Sequence, residues 1–130
     1  MILAIDPGRE KCGTAVLDLS GRVLEKKIVK FEELVNEVTH LIAKYGIATL
    51  AVGSGTYSKN VQKEISKLEL KANIIFVPEK YSTLEAKKRY FKENPARGFW
   101  RLLPASLRTP PQPIDDYAAV ILAERFLSGY

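Results

Sequence analysis

"ILAIDPGREKCGTAV", Ile2 to Val16, is the stretch that decides how this chain folds. An apolar run from Ile2 to Ile5 stops abruptly on a carboxylate, Asp6. Pro7 and Gly8 follow at once, then a charged turn of Arg9, Glu10 and Lys11, and after Gly13 the chain is apolar again. The pattern predicts a buried strand over Ile2–Asp6 and a second over Thr14–Leu19, joined by a short connection. A carboxylate that ends a buried strand needs a partner, because burying an unpaired charge is costly.

Working outward, Ser20-Gly21 marks a turn and Val23–Phe31 alternates loosely as a third strand. Three hairpin-linked strands therefore open the fold. The period then changes: Phe31, Leu34, Val35, Val38, Leu41, Ile42 and Tyr45 fall on one helical stripe that Gly46 stops. His40, the sole imidazole, lies beside that stripe and reads as a surface or boundary residue. Thr49–Gly53 is a fourth strand. Ser58 is a candidate cap for a helix with Val61, Ile65 and Leu68 inside, and Ala72–Val77 is a fifth strand ending in Pro78-Glu79. Ser82 and Glu85 have capping-box spacing and predict a helix to about Lys92. A closing helix, Ile114–Leu127, carries Ala118, Ala119, Leu122 and Phe126 inward. Strands that first pair as hairpins and then alternate with helices predict an α/β domain. Its mixed five-stranded sheet would have three antiparallel strands, then two parallel ones, and helices on both faces.

Composition sets the outer limits. A length of 130 residues predicts a single domain over 1–130, large enough for a real core. The only interruption is a long, proline-rich, basic loop at about 94–113, which holds Pro95, Pro104, Pro110, Pro111 and Pro113. No apolar run approaches the roughly 20 residues of a membrane span, and no signal peptide is visible. Cys12 is the only cysteine, which excludes an intrachain disulfide and a cysteine-built zinc site and suits a cytoplasmic setting. Any metal would have to rest on oxygen ligands. The net charge of +5 favours polyanions as partners, nucleic acid or an anionic membrane surface, and of the two the expected partner is nucleic acid, with no membrane. Lys80, Lys87, Lys88, Arg89, Lys92, Arg97, Arg101 and Arg108 crowd one segment, against only Glu85 and Glu93. That crowding fits either a solvated helix face plus loop or a phosphate-binding surface.

Acids recur at the ends of elements. Asp6 ends the first strand, Glu79 follows the fifth, and Asp115 and Asp116 open the last helix. Ligands of open α/β sheets bind where the carboxyl ends of strands meet, and parallel first, fourth and fifth strands would put Asp6 and Glu79 at one end. Asp115 shares the helix face of Ala118 and Ala119 and is the favoured third acid, with Asp116 as a helper. Clustered carboxylates repel unless protons or a cation neutralise them. Mg²⁺ or Mn²⁺ suits such a set, and two ions roughly 4 Å apart can activate water and stabilise a leaving oxygen. Plainer roles stay open: Asp115 as a helix cap, or Glu79 paired with Lys80 or Lys87 at the surface.

These residues also carry a family resemblance. "DPGREKCGTA" (6–15) resembles the first-strand motif of RNase H-like nucleases, particularly the RuvC and YqgF/RuvX branches. "VPEKYSTLEAKKR" (77–89) resembles the YqgF stretch where an acid, a basic residue and a Thr/Ser pair precede a helix. "IDDYAAVIL" (114–122) resembles the closing motif with an aspartate three residues before Ala-Ala. The resemblance implies an RNase H-like fold and a divalent-metal phosphodiesterase site with Asp6, Glu79 and Asp115 as its acids. The implied substrates are branched DNA, as for Holliday junction resolvases, or structured RNA, as for precursor ribosomal RNA nucleases. Departures accompany it. Gly53 stands where the RuvC branch has an acid, Pro78 stands where YqgF proteins often have another aspartate, and the 94–113 loop is longer than usual.

The nucleic-acid contacts expected on this reading are Lys11, Lys80, Lys87, Lys88, Arg97, Trp100, Arg101 and Arg108. Phe99-Trp100 between arginines could stack on unpaired bases. Equally, Phe99, Trp100, Leu102 and Leu103 could fold back as an apolar latch or bury a contact in a homodimer. Two rival functions remain open: a binding module of the same fold without catalysis, and a nucleotide-binding relative of the sugar-kinase and actin group. The short chain opposes the latter, whose architecture needs two such domains.

Overall fold

A computed structural model describes residues 1–68, 70–95, 98–104 and 107–129, without the side chains of 99 and 100. The expectations placed on Arg97 and on the Trp100 ring fall outside the described residues.

The elements are β1 (Ile2–Asp6), β2 (Lys11–Leu17), β3 (Val23–Lys30), α1 (Leu34–Tyr45), β4 (Thr49–Gly53), α2 (Ser58–Ser66), β5 (Asn73–Val77), α3 (Ser82–Glu93) and α4 (Asp115–Leu127). They form one sheet in the order β3-β2-β1-β4-β5. β1–β2 and β2–β3 are antiparallel, and β1–β4 and β4–β5 are parallel, as the connections predicted. β1 lies in the middle, covered on both faces, which is why it reads as unbroken apolar sequence.

Strand alternation divides the core into two layers. Leu3, Ile5, Cys12, Val16, Leu50 and Val52 meet α1 and α2 through Leu34, Val38, Leu41, Val61 and Ile65. Ile2, Ala4, Ala15, Leu17, Ala51 and Val77 face α4 through Ala119, Val120, Leu122 and Ala123. α3 then covers α4 from outside, with Ala86 against Ala118 and Ile121. α4 is thus buried on more than the single stripe expected, because it is sandwiched between sheet and helix.

Several boundaries differ from the sequence reading. β2 begins at Lys11, three residues early, because its ladder to β3 starts with Lys11 opposite Lys30. It also ends sooner. Asp18 lies outside the strand, where its carboxylate accepts from the Ser20 amide at 3.0 Å, the Ser20 hydroxyl at 2.6 Å and the Arg22 amide at 3.0 Å. Phe31–Glu33 forms a 3₁₀ turn before α1, and Gly46 ends that helix in the left-handed region with φ 64°. His40 is exposed, as expected. Neither Ser58 nor Ser82 is a cap: each is the first residue of its helix. No capping box forms, because Tyr81 and not Ser82 holds the cap position, and Glu85 meets Arg125 at 3.1 Å.

Candidate active site

Two glycines let the acids converge. Asp6 sits opposite Gly13 in the β1–β2 ladder, on the face that α4 covers. A methyl group at Gly13 would overlap the Asp115 carbonyl and lie 2.9 Å from the Asp116 amide nitrogen. The absent side chain is therefore what allows the first turn of α4 to rest on the sheet beside Asp6. On the other side, β1, β4 and β5 run parallel, so their carboxyl ends share one edge of the site. Gly53 ends β4 opposite Val77, and Glu79 follows two residues later.

The Glu79 carboxylate fills the space that side chains at Gly53 and Gly55 would take. A Cβ at either glycine would lie 2.7 Å from Glu79 Cδ. Gly53, at the end of β4, is thus part of a cradle for the acid that follows β5. The Gly55 amide donates to this carboxylate, while Oε1 is buried with no hydrogen-bond partner. Burial pushes the Glu79 carboxyl above its ordinary range despite that amide. The surface pairing of Glu79 with Lys80 or Lys87 does not occur. Tyr81 turns the chain with φ 63°, a conformation rare for a residue with a side chain, and the Ser82 amide donates to the Glu79 carbonyl at 2.8 Å.

Electrostatics link Asp6 to the other two acids. The Asp6 carboxyl is pushed up to about 7, first by burial and then by the negative charges of Glu79 and Asp115. Asp115 is also raised, by burial and by Asp116, against the opposing charge of Lys11. Asp116, expected as a helper ligand, has other partners. It is ion-paired with Lys26 of β3 at 3.0 Å and accepts from the Tyr117 amide at 2.9 Å. Lys26 also lies 4.2 Å from the Tyr117 ring centroid, completing a latch that the sequence reading missed.

The donor set is all oxygen, crowded and partly unsatisfied, which fits a hard divalent cation such as Mg²⁺ or Mn²⁺. Among the described residues, however, no group of three His, Cys, Asp or Glu is spaced to close around one ion.

The basic residues distribute unevenly. Lys11 borders the site through its effect on Asp115, and Lys80, Lys88 and Arg101 are exposed. Lys87 is half-buried on α3. Arg108 turns to its own loop: it donates to the carbonyls of Leu103 at 2.8 Å and Arg101 at 3.3 Å and lies over the Phe91 ring. Arg89 grips Glu124 through two nitrogens. The loop holds a 3₁₀ turn, Gly98–Leu102. Leu102 is 80% exposed, so it takes no part in an apolar latch.

Residues 1–93 match the model of the Tex protein YqgF-like domain. The chain belongs to that family. The match takes in Asp6 and Glu79 of this YqgF-like chain and stops before the long loop and α4. Among solved structures, the fold is similar to Thermus thermophilus RuvC in complex with a Holliday junction substrate. That likeness has a TM-score of 0.60 and 15% identity, covering 94% of this chain and 88% of the other. It is also similar to a second Thermus thermophilus RuvC structure, at TM-score 0.55 and 15% identity, covering 98% and 96%. No curated protein matches the sequence. The RNase H-like, RuvC-like fold of the YqgF-like chain is thereby established. No helix among the described residues is long and apolar enough to cross a membrane.

Proposed function

We propose that the YqgF-like chain is a divalent-metal-dependent nuclease that hydrolyses phosphodiester bonds in structured nucleic acid, either branched DNA or folded RNA. One observation carries this reading: Glu79 and Asp115, far from Asp6 in sequence, lie close enough to it at one end of the sheet for their charges to raise its proton affinity. Negative charge assembled at such cost is useful where a cation is to be held. A bound Mg²⁺ or Mn²⁺ would activate water and stabilise the leaving oxygen.

The chain's own residues supply the rest. Asp6 is the central ligand, because it feels both other acids. Glu79 offers its unpartnered Oε1, and Asp115 completes the set. Water and substrate phosphate would provide the remaining oxygens, as is usual for magnesium, so three protein ligands need not close on one ion. Asp116 is left with Lys26. Lys11, Lys80, Lys87, Lys88 and Arg101 would hold the phosphate backbone. The RuvC to which the fold is similar was solved with a Holliday junction, which supports a nucleic-acid partner. Cutting both strands of a junction calls for paired sites, so a homodimer belongs to the junction version of this reading.

The rival is a nucleic-acid-binding module without catalysis, favoured because no three acids among the described residues are grouped to close on one ion. A cleavage panel separates the two: four-way junction, duplex, single-stranded DNA and structured RNA, each with Mg²⁺ or Mn²⁺, and Asp6→Asn as control. Metal-dependent cutting lost in Asp6→Asn supports the nuclease. Tight binding with no cutting of any substrate supports the module.

A further inference from the structure

A buried arginine holds the peptide that carries Glu79. Arg125 projects from the last turns of α4 and is only 9% exposed. One terminal nitrogen donates to the Pro78 carbonyl at 2.6 Å and the other to the Lys80 carbonyl at 2.6 Å. These are the carbonyls of the residues on either side of Glu79. The second nitrogen also meets Glu85 of α3 at 3.1 Å, which ties the guanidinium to the helix that the Glu79 loop leads into. Between these anchors the backbone takes its left-handed step at Tyr81. A conformation of that kind persists only when its surroundings over-determine it.

We propose that Arg125 is a positioning residue for Glu79: its planar fork fixes both flanking carbonyls and so aims the carboxylate into the Gly53–Gly55 cradle. The inference rests on the nuclease reading for its consequence, but its geometry does not. A guanidinium suits the task because it presents two parallel donors from a rigid plane, whereas an ammonium is a single point charge. Arg125 acts through the backbone and not through its charge. The groups that hold the Glu79 carboxylate itself are the Gly55 amide and the space left by two glycines. The fork comes from α4, so the helix that delivers Asp115 at its start fixes Glu79 near its end. Two of the three acids are thereby registered to one rigid element.

The test is Arg125→Lys, which keeps the charge and the apolar stem and removes the fork. The spectroscopic readout is the Gly55 amide proton resonance, which reports the hydrogen bond to Glu79 and lies on a loop that Arg125 does not bond. The expected result is a folded protein in which that resonance moves upfield and metal-dependent turnover falls about 10- to 100-fold, the usual cost of losing an orienting partner. A folded Arg125→Lys with an unmoved Gly55 amide and native turnover overturns the proposal. In the native chain, which needs no variant, scalar couplings across the hydrogen bonds from Arg125 to the Pro78 and Lys80 carbonyls are expected. A guanidinium whose protons exchange freely with solvent overturns it equally. Should the native chain cut nothing while Arg125→Lys still shifts the Gly55 amide, the positioning role stands and the nuclease reading falls.

Discussion

The Asp115 peptide rests directly on Gly13, the residue opposite Asp6 in the β1–β2 ladder. That contact sets how closely the first turn of α4 can approach the strand end where Asp6 lies. It makes Gly13→Ala a test of the convergence: the methyl would have to displace backbone, not a flexible side chain. The expected cost is about 1–3 kcal/mol of stability, measured by denaturant unfolding, with weakened response to Mn²⁺. An unchanged unfolding midpoint would mean that α4 does not sit on the sheet there.

The metal-free protein should lose stability as pH rises. Asp6 holds its proton to about pH 7 when folded, against an ordinary value of 3.8. Below the ordinary value both states are protonated and nothing is lost. Between the two values the unfolded carboxyl ionises freely while the folded one resists, so stability falls, levelling off above about 7. Glu79 and Asp115 shift in the same direction. The contribution of Asp6 is on the order of 4 kcal/mol. Thermal unfolding in chelator from pH 4 to 8 measures it, and stability that rises over this window contradicts the environment described for Asp6.

Asp6→Asn should separate stability from activity. At pH 8 in chelator the amide removes a buried charge that Glu79 and Asp115 both oppose, so the melting temperature should rise while metal-dependent cleavage disappears. Added Mn²⁺ at about 100 times its dissociation constant should stabilise the native chain by roughly 2.7 kcal/mol and Asp6→Asn by much less. Equal stabilisation of both proteins would remove Asp6 from the metal site.

Adjacent aspartates on α4 should differ sharply. Asp116→Asn breaks the pair with Lys26, which should cost about 0.5–1 kcal/mol and leave metal-dependent turnover nearly intact. Asp115→Asn should do the reverse, sparing stability and abolishing turnover. Turnover assays on both variants, with unfolding curves as the companion measurement, decide the matter. The opposite ranking would make Asp116 the principal third acid.

Nucleic-acid binding should weaken steeply with salt. Neutralising Lys87 and Lys88 together should lower the slope of log affinity against log salt by about 2, since each phosphate contact releases a counterion. Fluorescence anisotropy at 50 to 200 mM salt measures that slope. Arg108→Gln should leave it unchanged, because Arg108 is engaged with loop carbonyls and Phe91.

Taken alone, the sequence determined the order of elements, the mixed sheet and the three acids at the ends of β1, β5 and the start of α4. Those features follow from local periodicity and from the breaks that end it, and neighbouring residues write both. Tertiary structure decided the rest. Helix periodicity favoured Asp115 over Asp116, but only the crossing of α4 over β2 and β3 rests the Asp115 peptide on Gly13 and pairs Asp116 with Lys26. Gly53 looked like a missing acid until β5 brought Glu79 into its space. Arg125 looked like one more charge on a closing helix, because nothing near it in the chain reveals that its partners lie more than forty residues away, at Pro78 and Lys80. Contacts between elements depend on how the strands are ordered across the sheet, and no local pattern encodes that order.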